Sequence, residues 1–178
     1  PNIYTTVTIT DLLSVGGGGS GGGGGATGVR YQDGQWTPSF TGGGIATSSN
    51  FRWSRSGNLV SIFSDWNWDT VPTGADLFEM GGLPYAPQMW AAGSMYMQEK
   101  AGETVWVPYV VKDETKLQIK AVSTKSGSSL TDDVRNESFK AGYHNIQITY
   151  ITDNTTFVPG IGATKTTDIQ GGGGSGAV

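Results

Sequence analysis

The sequence predicts an all-β chain, an antiparallel β-sandwich with a jelly-roll-like head, an N-terminal strand arm and glycine-rich tethers. Three observations carry that reading. Seven β-rich stretches follow one another at short spacing, at 50–55, 58–68, 76–80, 91–98, 104–111, 115–122 and 144–151. Two of them alternate cleanly: Leu117 and Ile119 oppose Lys116, Gln118 and Lys120, while Ile146, Ile148 and Tyr150 share one face. Helical periodicity is scarce, and only Leu130 to Phe139, with Thr131 or Asp132 as N-cap, predicts a turn or two of helix.

Taken in order, the chain opens on an arm, residues 1–15. Its stretch 3–9 is rich in β-branched residues and reads as a strand, with Ile3, Tyr4, Val7 and Ile9 as its apolar members. Residues 16–30 form a glycine-rich linker that lacks the side chains to build a core. Its Gly-Gly-Gly-Gly-Ser start is also the commonest designed spacer. A strand on a glycine tether is the layout of an anchor that adds itself to another protein's sheet edge. The competing reading has it completing the sandwich of its own or a neighbouring copy. The head covers 31–167, with turn signals at Ser56-Gly57-Asn58, Pro72-Thr73-Gly74, Leu83-Pro84, Ala101-Gly102, Lys112-Asp113-Glu114 and Ser126-Gly127. Val105 to Val111 is more continuously apolar, as in a strand buried on both faces or against a partner. Residues 168–178 read as a glycine-rich tail.

Composition narrows the function classes. There are no cysteines, so neither disulfides nor a Cys-ligated zinc are available. The net charge is -4 and the eleven basic residues form no run or stripe, which predicts no nucleic-acid partner. No apolar stretch has membrane-spanning length, and the start carries no secretory pattern. A chain opening on Pro1 is what removal of an initiator Met leaves, and equally what processing leaves. With only 15% charged residues, a β-rich chain is expected to hide much of its surface against neighbours.

No catalytic constellation emerges, and neither a cofactor nor a metal is expected. Asp65 and Asp69 lie four apart, roughly 13 Å along a strand, too far for paired-carboxylate hydrolysis. Asp132-Asp133 lacks the ligand spacing of a calcium loop. His144, the one histidine, opens a strand with no triad partner in sight. Gly42 to Gly44 precedes no helix and is not a phosphate loop. Asn136-Glu137-Ser138 and Asn154-Thr155-Thr156 match glycosylation acceptors by chance when no secretory signal is present.

The aromatics are more informative. Trp66, Asn67 and Trp68 put two indoles on one face of an extended segment, about 7 Å apart, and Trp90 follows near a loop. Exposed rings stack on the C–H faces of sugars while Asn, Gln or Asp hold the hydroxyls, so Trp66, Asn67, Trp68 and Trp90 are the glycan-binding candidates. The alternative is that these rings fill the sandwich or a subunit interface. For Trp36, Trp53 and Trp106 that alternative is preferred.

Trp36-Thr37-Pro38, the run from Phe51 to Val60 containing Ser56-Gly57-Asn58, and Gly82-Leu83-Pro84-Tyr85 occur in that order. The order resembles a β-sandwich domain found at the ends of bacteriophage tail fibres and tailspikes, over about residues 34–152. Its motifs run G-x-W-T-P, R-Y-T-K-I-G-N-x-V and I-x-G-L-P-F. Phe51 and Trp53 depart from the second and Tyr85 from the third. The resemblance implies a non-enzymatic receptor-binding head, often trimeric, on a virion assembled in the host cytoplasm. Its implied partners are two further copies of the chain, other virion structural proteins and host surface polysaccharide. The alternative is a capsid or tail decoration protein, a cement or head fibre without receptor binding. An enzyme using carboxylates from adjacent subunits is the third class.

Overall fold

The computed structural model describes residues 28–97, 104–123 and 131–171. Their strands are β1 (Gly28–Trp36), β2 (Ser39–Phe40), β3 (Ile45–Ser56), β4 (Leu59–Thr70), β5 (Glu79–Gly81), β6 (Ala91–Ala92), β7 (Ser94–Met97), β8 (Thr104–Val110), β9 (Lys116–Ser123), β10 (Thr131–Asp133), β11 (Tyr143–Ile151) and β12 (Ala163–Gly171). The first sheet has the order β12-β1-β3-β4-β11-β7 and the second β2-β5-β9-β8-β6, with β10 on β9. Every ladder is antiparallel, and the two sheets pack face to face as an all-β sandwich.

The alternating patterns become strands as expected. Leu117 and Ile119 of β9 and Ile146, Ile148 and Tyr150 of β11 all point into the core. The expected 91–98 strand is split at Gly93, where the chain leaves the second sheet and joins the first. A Cβ at Gly93 would stand 2.2 Å from the Gln147 carbonyl oxygen, so the crossing requires glycine.

The helix expected over Leu130 to Phe139 does not form. Residues 131–133 pair with β9, Arg135 bridges Leu77, and only a single 3-10 turn follows at Asn136–Ser138. Val134 and Phe139 are drawn into the core, and they are five residues apart, a spacing that one face of a helix does not provide. The ends of the sandwich also draw on the glycine-rich flanks. β1 begins at Gly28, and β12 continues through Asp168 to Gly171.

β4 sits at the centre of the first sheet and sets the core by period two. Val60, Ile62, Ser64, Trp66 and Trp68 point inward, whereas Leu59, Phe63, Asp65 and Asn67 belong to the other face. Neighbouring β3 contributes Trp53 and, unusually, a buried Arg55. The Arg55 guanidinium lies over the Phe157 ring at 3.9 Å and the Tyr85 ring at 4.4 Å, and donates to the Gly57 and Asn154 carbonyls. Burial lowers its pKa, the largest effect on it.

Around this cation, Tyr85 Oη donates to Gln32 Oε1 at 2.6 Å, and Gln32 Nε2 donates to the Phe157 carbonyl at 3.0 Å. Tyr150 Oη donates to the Tyr85 carbonyl at 2.8 Å. The Gln32 bond ties Phe157 to β1, and Phe157 sits at φ 56, a left-handed conformation a bulky side chain enters only at a cost.

One close approach is diagnostic of the β1–β12 contact. A Cβ added to Gly34 would fall 1.8 Å from the Thr164 carbonyl oxygen and 3.0 Å from the Trp53 ring. Since backbone is the obstacle, Gly34→Ala must push β12 away, and the variant is expected to lose about 3 kcal/mol in denaturant unfolding. An unchanged midpoint would show that the two strands do not approach this closely.

Candidate functional site

The four glycan-binding candidates are not brought together; they fall on three different surfaces. Trp66 and Trp68 lie between the sheets, 0% and 7% exposed, which corrects the expectation that they stack on a sugar. Their spacing is close to that expected, ring centroids 5.6 Å apart, but the shared face is the inner one. Phe40 lies 4.9 Å from Trp68 and 5.9 Å from Trp66, and Phe78 and Phe139 close the cluster at 6.3 and 5.7 Å from Trp68. A bound sugar would have to replace the second sheet. Asn67 is on the outer face of the first sheet, paired with Tyr143 and Thr47. Trp90 is on the outer face of the second. The proposed arm residues Ile3, Tyr4, Val7 and Ile9 lie outside the described residues, as do 10–27 and 172–178.

His144 belongs to the same buried cluster. Its ring stacks on Trp66 at 5.4 Å and 20°, with Trp68 and Phe139 each at 5.7 Å. Nδ1 is 2.8 Å from the Gly142 carbonyl oxygen, so in the neutral ring Nδ1–H donates, and Nε2 is buried without a partner. No charged side chain stacks on it. This arrangement fills a core and offers no base to a substrate. Asp133, considered above for calcium, is bound to Lys120 at 2.7 Å, and no metal-ligating cluster of acids and histidines is found among the described residues.

On the second sheet, Trp90 is 62% exposed and lies flat on Tyr109, with centroids 5.6 Å apart and planes 13° from parallel. With Ala91, Ala92, Val107 and Val122 it lines a shallow depression of about 370 Å³. The polar groups beside it are already engaged with each other. Tyr109 donates to Gln118, whose amide donates to Glu79 at 2.5 Å, and Glu79 pairs with Lys116 at 2.7 Å. Burial, then the nearby Asp133, pushes the Tyr109 phenol up to about 12. A face whose polar atoms are satisfied and whose remainder is apolar suits protein contact better than a sugar.

The outer face of the first sheet is different in kind. Ser54, Ser61, Asn145, Gln147 and Thr149 make it polar, Asp33, Arg52 and Asp65 are charged members, and Tyr31, Phe63 and Tyr96 are embedded rings. At its β12 side lies a concavity of about 470 Å³ lined by Tyr31, Asp33, Gln35, Arg52, Ser54 and Phe63, with Thr166 at its rim. A β-bulge borders it: Asp33 faces Thr167 and Gly34 faces Lys165, leaving Thr166 as the extra residue.

The side chains are aimed by their neighbours. Tyr31 Oη donates to Asp33 Oδ2 at 3.2 Å, and Arg52 Nε donates to Asn50 Oδ1 at 2.8 Å. Arg52 and Asp33 share the concavity, yet no ion pair joins them. Phe63, 45% exposed and directly opposite Arg52 in the β3–β4 ladder, supplies an apolar wall. Sequence reasoning passed over these residues. The signal that marks them is phase: Phe63 is the ring on β4 that falls out of step with Val60, Ile62, Trp66 and Trp68.

No protein-family model, curated protein or solved structure matches this chain.

Two outcomes follow from the buried cluster. Burial lowers the His144 pKa below its ordinary 6.5, against a smaller opposing effect of the Gly142 carbonyl. The folded state therefore holds fewer protons than the unfolded state once pH falls under about 6.5, and stability is lost from there downward. Denaturant midpoints should drop between pH 7 and pH 5 in the wild type, and much less in His144→Phe. Trp66→Ala is expected to cost about 3–5 kcal/mol in unfolding free energy, a core-cavity effect measured without any ligand.

Proposed function

We propose that this protein is a non-enzymatic virion protein of a bacteriophage, the head of a tail-fibre tip or similar appendage, which attaches to a saccharide of the host surface. The observation that carries the reading is the concavity of the first sheet, where Arg52 and Asp33 stand beside the Phe63 and Tyr31 rings without neutralising each other. A pyranose presents C–H groups on its faces and hydroxyls around its rim. The rings serve the first, and the guanidinium, carboxylate, Gln35 and Ser54 serve the second. Rigid strands hold all of these groups, so little ordering entropy is lost on binding. The resemblance of the Trp36, Ser56-Gly57-Asn58 and Leu83-Pro84 motifs to tail-fibre and tailspike heads supplies the biological setting, a homotrimer mounted on other virion structural proteins.

A second reading is favoured by the apolar face around Trp90. A capsid or tail decoration protein, held by protein contacts alone, would need such a face and no receptor site.

Adsorption of the full chain to host cells separates the two. The double variant Arg52→Ala/Phe63→Ala alters exposed positions and should keep its unfolding midpoint within about 1 kcal/mol. It is expected to lose at least about tenfold in adsorption, in line with the loss of a charged hydrogen-bonding group and a stacking ring. Undiminished adsorption by the variant, or equal adsorption to cells stripped of polysaccharide, would remove the saccharide reading.

A further inference from the structure

We propose that the apolar face of the second sheet is the docking site for the N-terminal strand of the same chain, residues 3–9. The receiving surface combines two features. Trp90 and Val105, 62% and 47% exposed, lie beside the half-buried Val107 and Val122 and form one apolar face. Beside it lies an incomplete sheet edge. β6 covers only the end of β8, pairing Ala91 with Val110 and Ala92 with Tyr109, after which Gly93 N–H donates to the Pro108 carbonyl at 2.8 Å and the chain departs. Antiparallel strands alternate the direction of their backbone groups, so Trp106, two residues before Pro108, turns its N–H and C=O to the same side, where β7 passes near β8 without pairing with it. Among the described residues no strand pairs with that stretch of β8.

The occupant is chosen by pattern, charge and reach. Residues 3–9 read Ile-Tyr-Thr-Thr-Val-Thr-Ile, so Ile3, Val7 and Ile9 fall on one face of a strand and no charged side chain is present. The only charged side chain lining the receiving depression is Lys120, already paired with Asp133. Added beside β8, such a strand satisfies the open edge through its backbone and extends the Trp90–Val107 surface with its apolar face.

Eighteen residues, 10–27, separate the arm from β1. A glycine-rich chain of that length spans about 23 Å root-mean-square and about 60 Å when extended. Four strand spacings, about 19 Å, separate β1 from β7 at the far side of the first sheet, and the β8 edge lies in the second sheet, about 10 Å away across the sandwich. A tether matched to its span gives an effective concentration in the millimolar range, which favours docking within one chain over exchange between chains. Docking of this kind also removes the apolar surface that favours the decoration reading, and it is independent of the saccharide site on the opposite sheet.

Amide hydrogen exchange on the full chain tests the proposal. The Trp106 amide should exchange at least about tenfold more slowly in the wild type than in Ile3→Asp/Val7→Asp, while the Ile148 amide in the core is unaffected. Trp90→Ala, altered only on the receiving side, should release the Trp106 amide in the same way. The protection should not depend on protein concentration. Equal Trp106 exchange in wild type and both variants would overturn the proposal. So would protection that grows with concentration, since it places the arm on a neighbouring copy.

Discussion

Trp66 and Trp68 meet Phe40, Phe78, Phe139 and His144 in the space between the sheets, and the rest of the molecule is arranged around that contact. Burial of one such ring is worth several CH₂ groups' transfer from water, and the edge-to-face geometry adds to it. Because the rings project from the even positions of β4, they dictate which face of that strand meets the second sheet. The odd positions are thereby released to solvent, and the whole outer surface of the first sheet follows from that choice.

This dependence explains what was legible in the sequence. Period-two patterns located β9 and β11, because each of these strands buries one face and its alternation is strict, while β-rich composition and turn residues located most of β4 and β8 and half of β3. β1 and β12 were hidden because their exposed faces are polar, glycine interrupts one of them, and their order comes from pairing with each other and with β3. The 130–139 segment departs from its helical pattern because the capping signal there is local, whereas Val134 and Phe139 answer to a distant core.

The candidate site was less legible, for a reason that the same strand makes plain. Tryptophans near polar residues drew attention to Trp66 and Trp68, yet their parity with Val60 and Ile62 assigns them to the interior. Phe63 and Arg52 carry the opposite message, an aromatic and a cation on a face that needs neither for folding. The concavity beside them cannot be read from spacing, since it gathers side chains from β1, β3, β4 and the bulged stretch of β12.

That bulge has a further effect at the margin of the molecule. Thr166 interrupts the regular spacing of backbone donors and acceptors on β12, and Lys165 and Arg30 converge on Asp168 at 2.8 and 2.5 Å just there. A kinked border bearing charges already committed to one another makes a poor template for a second β-strand. Copies of the chain brought side by side can therefore lie flank to flank without zippering into a continuous sheet, each keeping its own orientation.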